Sequence, residues 1–136
     1  MTPSDPVHPS KPAPPRRGHL LVIDDDALVR VSLGHILSFE HEVTLCDSGP
    51  AALKLFADGA RFDAILCDVN MPGMDGAELY DAMALAVPDQ LARTIFLTGG
   101  AYTTRAQSFL ARITNEQMEK PFEFEVLRAA LARLMR

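Results

Sequence analysis

Four segments that the sequence predicts to be strands are each followed by side chains that take part in chemistry. These side chains are Asp24, Asp25 and Asp26 after residues 20–23, Asp68 after 64–67, Thr98 after 94–97 and Lys120 after 116–119. Clustered carboxylates repel one another, and burial strengthens the repulsion. They share one site only if a proton or a cation lies among them. Packing does not explain this pattern, so we infer a polar site.

The residue types in this set favour phosphoryl chemistry. Carboxylate oxygens in small number favour Mg²⁺, which keeps several of its waters and bridges to phosphate groups. The ammonium of Lys120 can then neutralise one phosphoryl oxygen, and the hydroxyl of Thr98 can bond to another. One carboxylate can act as the nucleophile and form an aspartyl-phosphate. Such a transfer needs little beyond positioning and charge neutralisation.

The elements that must position these groups alternate along the chain. The predicted strands are 20–23, 43–46, 64–67, 94–97 and 116–119, and each is followed by apolar residues at helical spacing. Three strands are continuous apolar runs, as expected when both faces of a sheet are covered. We therefore predict an α/β fold, a doubly wound five-stranded parallel sheet with five helices. Ligands of such sheets bind beyond the carboxyl ends of the strands, where these side chains lie.

Composition and charge limit the class of protein. The 136 residues are 48% apolar and 23% charged, which is typical of one globular domain. Residues 1–18 hold six of the ten prolines and predict a disordered Pro-rich tail or linker, which leaves 19–136 as the domain. The net charge is −5, and the tail is basic, so the acidic body argues against direct nucleic-acid binding.

Targeting signals are not evident in the sequence. No apolar run is long enough for a membrane span, and the N-terminus lacks the apolar segment of a signal peptide. Cys46 and Cys67 both lie in apolar stretches and are interpreted as reduced core thiols. These features predict a cytoplasmic protein.

Four motifs together resemble the receiver domain of two-component response regulators. They are VIDDD at 22–26, CDVNMPGMDG at 67–76, LTGG at 97–100 and EKPF at 119–122. The resemblance covers residues 19–136. It implies a flavodoxin-like fold with strand order 2-1-3-4-5, which periodicity alone does not indicate.

The resemblance also implies a role for individual residues. The implied set is Asp68 as phosphoacceptor and Mg²⁺ ligand, Asp25 as a direct Mg²⁺ ligand, Asp24 as a ligand through water, Asn70 as a ligand through its backbone carbonyl, Thr98 as the switch hydroxyl, Lys120 as the site ammonium and Pro121 as the residue after a cis peptide bond. One position departs from the family pattern. Gln117 stands three residues before the lysine, where many receivers carry an aromatic side chain. The acceptor chemistry does not need that ring, but the usual aromatic readout of the family depends on it.

The implied function is signalling rather than enzymatic turnover, limited to self-phosphorylation and autodephosphorylation. The expected donor is a histidine kinase or a phosphotransfer domain. No helix-turn-helix follows the closing helix, so the output is expected to pass to a protein partner or to other domains of a parent chain. The Pro-rich start resembles the linkers before the C-terminal receivers of hybrid sensor histidine kinases.

Two other functions remain open from the sequence. Residues 24–26 also satisfy the Asp-x-Asp motif of haloacid-dehalogenase-like phosphatases, although Ala27 replaces the usual threonine or valine. Alternatively, Gln117 is compatible with a receiver-like interaction module that no longer accepts phosphate.

Several residues have a simpler structural interpretation. Asp26 is predicted to be the N-cap of the first helix, and Asp75 with Gly76 to begin a later helix. The four histidines, His8, His19, His35 and His41, are interpreted as surface or ordinary helix residues.

Overall fold

Five parallel strands alternate with six helices in the computed structural model, which describes residues 17–99 and 103–135. The strands are β1 (His19–Ile23), β2 (Glu42–Cys46), β3 (Ala64–Asp68), β4 (Thr94–Thr98) and β5 (Gln117–Glu119). The helices are α1 (Ala27–Leu37), α2 (Gly49–Ala57), α3 (Gly76–Ala86), α4 (Pro88–Leu91), α5 (Thr104–Arg112) and α6 (Phe124–Leu134). The strand order is β2-β1-β3-β4-β5. The predicted doubly wound, flavodoxin-like α/β fold is confirmed.

The sheet is covered on both faces because the middle positions of its central strands, β1, β3 and β4, are all apolar and buried. Alternate residues of a strand point to opposite faces. Leu21, Ile23 and Phe96 belong to one apolar cluster, with side chains of α2, α3 and α5. Leu20 and Leu97 belong to the other, with side chains of α1 and α6. The two clusters hold the sheet between two helical layers, so the strand ends are fixed relative to one another.

The number of helices differs from the prediction. The sequence predicts five, and the structure has a sixth, the single-turn helix α4. This helix begins at Pro88, and proline is favoured in a first helical turn. In α4, Leu91 packs into the core and the buried Gln90 side chain accepts a hydrogen bond from the Phe62 amide at 2.8 Å.

Two predicted helix starts are confirmed. The Asp26 side chain accepts hydrogen bonds from the amides of Leu28 and Val29, which makes it the N-cap of α1. Asp75 is the N-cap of α3, where it forms a reciprocal capping box with Glu78. These caps satisfy amide groups that have no partner within the helix.

The two cysteines are free and buried, as predicted. They lie on β2 and β3, each paired in register with Ile23 of the strand between them. Burial raises the pKa of the Cys46 thiol to about 11, and it raises the pKa of Cys67 further. Both side chains therefore act as apolar core groups. Of the predicted tail, residues 1–16 lie outside the described residues. No helix in the described part of the chain has the length and hydropathy that crossing a membrane requires.

The interpretation of His41 as a surface or ordinary helix residue is wrong. His41 lies between α1 and β2 and is only 2% exposed. Its Nδ1 accepts a hydrogen bond from the Gly18 amide at 3.0 Å. Burial is the main cause that lowers the pKa of His41. Arg17 and Arg128 act in the same direction, while Glu40 and Asp63 oppose it. The lowered pKa favours the neutral imidazole, whose Nδ1 accepts the hydrogen bond from the residue before β1.

This contact predicts a pH-dependent contribution to stability. The pKa of His41 is lower in the folded than in the unfolded chain, so its contribution is fully present above the ordinary value near 6.5. It is lost as the pH falls below that value. We expect the unfolding free energy lost in His41→Asn to be smaller at pH 5 than at pH 7.5, as measured by urea unfolding of both proteins. An equal loss at both pH values contradicts a neutral His41.

Candidate functional site

The carboxyl ends of β1 and β3 bring three carboxylates together. Within the described part of the chain, oxygen atoms of Asp24, Asp25 and Asp68 lie within 4.8 Å of one another. Asp24 is fully buried, Asp68 is 5% exposed and Asp25 is exposed to solvent. The cluster therefore has a buried floor and one open side. The sequence predicted this arrangement from the strand ends.

Lys120 supplies the positive charge inside the cluster. Its Nζ lies 3.1 Å from Asp24 Oδ2 and 3.7 Å from Asp68 Oδ1. The backbone amide of Lys120 donates to the Thr98 carbonyl at 2.7 Å, which attaches the residue to the end of β4. The peptide bond between Lys120 and Pro121 is cis, as the resemblance implied. One ammonium thus bridges the carboxylates that end two neighbouring strands.

Asp68 carries the clearest electrostatic perturbation in the cluster. Burial raises the pKa of this carboxyl from its ordinary value of 3.8 to about 6. The nearby Lys120 lowers the pKa, but the negative charges of Asp24 and Asp25 raise it again. The site thus places three carboxylates beside one ammonium. A cation at this position would relieve the repulsion.

Two further predicted residues lie beside the acidic cluster. Thr98 ends β4 and is 3% exposed, next to β3 and β5 in the sheet. Asn70 lies in the loop after β3, and its backbone amide donates to Asp68 Oδ1 at 3.2 Å. That hydrogen bond lowers the pKa of Asp68 and orients its carboxylate. All the residues predicted for the site thus lie at the carboxyl ends of the strands.

The loop from β3 to α3 is held closely against the site. A Cβ atom added to Gly76 would lie 2.8 Å from Val69 Cα, so no larger residue fits here without displacing backbone. At the same turn, Arg105 of α5 pairs with Asp75 at 2.8 Å. Burial on its own would raise the pKa of Asp75, but the hydrogen bonds that this carboxylate accepts, above all from Arg105, lower it below its ordinary value. The sequence contained no signal for this pair, because 30 residues separate its members.

Gln117 occupies the position where many receivers carry an aromatic side chain. It is exposed on β5, and its amide Nε2 donates to the Leu110 carbonyl at 2.8 Å. The side chain therefore connects β5 to the last turns of α5. A hydrogen-bonded glutamine therefore stands where many receivers have an aromatic ring.

Arg30 is a residue near the site that sequence reasoning missed. Its Nη1 donates to the backbone carbonyl of Asp24 at 2.8 Å. The sequence did contain a signal for this residue, because Arg30 lies near the start of the helix that directly follows the aspartate run.

The cluster has the chemistry of a site for a small, hard divalent cation. Its donors are carboxylate oxygens, as such ions prefer. Its electrostatic imbalance is the observation that supports a cation here, since burial and neighbouring aspartates hold the pKa of Asp68 at about 6. Asp25 and Asp68 have the oxygen atoms to bind it directly, and Asp24 lies behind them.

Known proteins have the same fold and are similar in sequence. Residues 20–132 match the response regulator receiver domain family. The transcriptional regulatory protein FixJ of Bradyrhizobium diazoefficiens is 36% identical over 122 residues, which cover 88% of this chain and 58% of FixJ. The response regulator MprA of Mycobacterium sp. (strain KMS) is 35% identical over 118 residues, 86% of this chain and 50% of MprA. Among solved structures, the signal receiver domain of a signal transduction histidine kinase from Syntrophus aciditrophicus has a TM-score of 0.74 at 27% identity, covering 87% of this chain and 89% of that one.

Fold and site together define an α/β domain with an acidic, lysine-bridged cluster at the carboxyl ends of its strands. The chain belongs to the response regulator receiver domain family, and its function is that of a receiver domain in two-component signal transduction. It spans about half the length of the curated relatives that it matches.

Proposed function

We propose that this receiver domain accepts a phosphoryl group on Asp68 in the presence of Mg²⁺. The observation that carries the proposal is the cluster of Asp24, Asp25 and Asp68, with the Lys120 ammonium 3.1 Å from Asp24 and 3.7 Å from Asp68. Asp25, Asp68 and the backbone carbonyl of Asn70 are the proposed direct ligands, with Asp24 acting through water. Bound Mg²⁺ would supply positive charge to the phosphoryl oxygens.

The chemical step is a substitution at phosphorus. A carboxylate oxygen of Asp68 forms a bond to phosphorus, while the bond between phosphorus and the donor's imidazole nitrogen breaks. The electron pair of the broken bond stays on that nitrogen. The Asn70 amide, 3.2 Å from Asp68 Oδ1, holds the nucleophile in place. Because Asp68 is ionised above a pKa of about 6, the nucleophile is available at neutral pH.

Lys120 and Thr98 serve the phosphoryl group once it has been transferred. The Lys120 ammonium lies 3.7 Å from Asp68, where it can pair with a phosphoryl oxygen. Its present partners are carboxylates, so the added charge would compete with Asp24 for it. The Thr98 hydroxyl would bond to another phosphoryl oxygen from the end of β4. Movement of these two residues would carry the signal to β4, β5 and α5.

The partners and setting follow from this chemistry. The proposed donor is a histidine kinase or a phosphotransfer domain, and the proposed receiver of the signal is a protein partner or another domain of the same parent chain. Residues 1–18 would serve as a tail or linker, and 19–136 as the domain. A cytoplasmic location suits the free, buried thiols. The domain would perform self-phosphorylation and autodephosphorylation and no other turnover.

Incubation with Mg²⁺ and a small phosphodonor such as acetyl phosphate tests the proposal. We expect intact mass spectrometry to show a gain of about 80 Da, the mass of one phosphoryl group. Chelation of the metal by EDTA should remove the gain. A protein whose mass stays unchanged at all donor concentrations contradicts phosphoryl acceptance.

The two other candidate functions give different results. A haloacid-dehalogenase-like phosphatase would turn over a phosphomonoester with dependence on Asp24 rather than on Asp68. An interaction module without phosphoryl acceptance would show unchanged amide NMR shifts when beryllofluoride and Mg²⁺ are added. We expect shifts at Asp68, Thr98 and Lys120 instead.

A further inference from the structure

The contact between Arg30 and the backbone of Asp24 points to a role beyond helix packing. Asp24 is fully buried and makes a polar contact in four directions. Its amide donates to the Cys46 carbonyl at 3.1 Å, and its Oδ1 accepts from the Asp26 amide at 2.9 Å. Its Oδ2 accepts from Lys120 at 3.1 Å. The fourth contact, to the carbonyl oxygen, comes from the Arg30 guanidinium at 2.8 Å.

The geometry of this contact bears on Asp25. The Asp24 carbonyl and the Asp25 amide belong to one rigid peptide plane. Holding the carbonyl therefore restrains the orientation of that plane, and with it the positions of the Asp25 amide and Cα from which the side chain starts. The Arg30 backbone is itself fixed, because its amide donates to the Asp26 carbonyl at 2.9 Å. Arg30 thus bonds to both sides of Asp25, through its side chain to Asp24 and through its backbone amide to Asp26.

This restraint matters because Asp25 is the least enclosed of the three carboxylates. Asp24 and Asp68 are buried and hydrogen-bonded, while Asp25 is exposed. A carboxylate on an exposed turn loses conformational freedom when it binds a cation, and a turn that is already fixed loses less. Groups that orient metal ligands in this way typically change metal affinity by 10- to 100-fold.

We propose that Arg30 is a positioning residue for the cation site, acting through the Asp24–Asp25 peptide rather than on the metal. The inference rests on the proposed function of the acidic cluster. It assigns to a helix residue a role that none of the strand-end motifs contains. The same role predicts that loss of the guanidinium weakens cation binding even when the carboxylates are intact.

The test compares Arg30→Met with Arg93→Met. Arg93 is a matched control, since its Nη1 also donates to a backbone carbonyl, that of Asp63 at 3.1 Å, and it lies before β4 at the opposite edge of the sheet. Calorimetric titration with Mg²⁺ should show about a tenfold rise in Kd for Arg30→Met. Arg93→Met should keep the wild-type Kd. Arg30→Lys, which retains a charged donor, should recover most of the affinity.

A metal-free readout separates positioning from loss of fold. In ¹H–¹⁵N spectra without Mg²⁺, Arg30→Met should move the Asp25 amide signal, and Arg93→Met should not. If Arg30→Met fails to fold, Arg30→Gln replaces it. An unchanged Mg²⁺ Kd in the Arg30 variants, with normal binding in the wild type, overturns the role of Arg30 alone. Absence of Mg²⁺ binding in the wild type overturns the proposed function and the role that rests on it.

Discussion

Replacing Asp68 by Asn is expected to abolish the phosphoryl adduct and, at the same time, to stabilise the metal-free domain. The first effect follows because the amide is not a nucleophile for phosphorus. The second follows from the site's electrostatics, since burial and neighbouring carboxylates raise the pKa of Asp68 to about 6. Holding its charge at neutral pH therefore costs folding free energy.

The sign and size of the stability effect follow from the pKa. Above pH 6 the carboxylate is ionised in both the folded and the unfolded chain, and its folded form is disfavoured. A shift from 3.8 to about 6 corresponds to about 1–3 kcal/mol in favour of Asp68→Asn at pH 7.5. The gain should decrease as the pH falls below about 6 and vanish at a pH well below 3.8, where the carboxyl is protonated in both the folded and the unfolded chain. Urea unfolding of both proteins in EDTA measures it.

Asp47→Asn is the control for this experiment. Asp47 follows β2 at the same edge of the sheet but is exposed. Its replacement should leave the adduct intact and change the unfolding free energy little. An adduct that persists in Asp68→Asn, or a variant less stable than the wild type at pH 7.5, contradicts the site.

Mg²⁺ is expected to stabilise the domain through Asp25. At a concentration tenfold above Kd, a ligand that binds only the folded state adds about 1.4 kcal/mol to the unfolding free energy. For a domain of this size that corresponds to a rise in Tm of about 4–6 °C. Asp25→Asn should lose most of the rise, because it removes a charged ligand from the exposed side of the cluster. Thermal unfolding with and without Mg²⁺ gives the measurement.

The residue next to Asp25 provides a matched control for the loss of one negative charge. Asp26→Asn makes the same change one position along, but the Asp26 side chain caps α1 and does not belong to the cluster. Asparagine is an equally good N-cap. This variant should therefore keep both the fold and the response to Mg²⁺. Loss of the response in Asp26→Asn, with its retention in Asp25→Asn, reverses the proposed assignment of ligands.

Strand ends were predictable from the sequence because apolar runs that stop at a charged or hydroxyl-bearing residue have few other interpretations. β1, β3 and β4 have this form, and their terminal groups Asp24, Asp68 and Thr98 lie together in the structure. The order of the strands was not predictable from periodicity. It depends on which edges pair, and only the family resemblance implied it.

Contacts between distant segments were beyond prediction. His41 follows a polar helix end in the sequence, yet the return of the chain to Gly18 buries it. The hydrogen bond from Gln117 to Leu110 depends on how α5 lies along β5. The helix α4 was also missed, because it is a single turn that begins at Pro88, only one residue after α3.

Reductive trapping of the phosphorylated wild-type protein tests the central claim most directly. Borohydride converts an aspartyl-phosphate to homoserine, and peptide mapping locates the converted residue. After reaction with Mg²⁺ and acetyl phosphate, we predict homoserine at position 68, with Asp24 and Asp25 unchanged. Homoserine at position 24 would contradict the receiver mechanism and favour a phosphatase that uses the Asp-x-Asp motif.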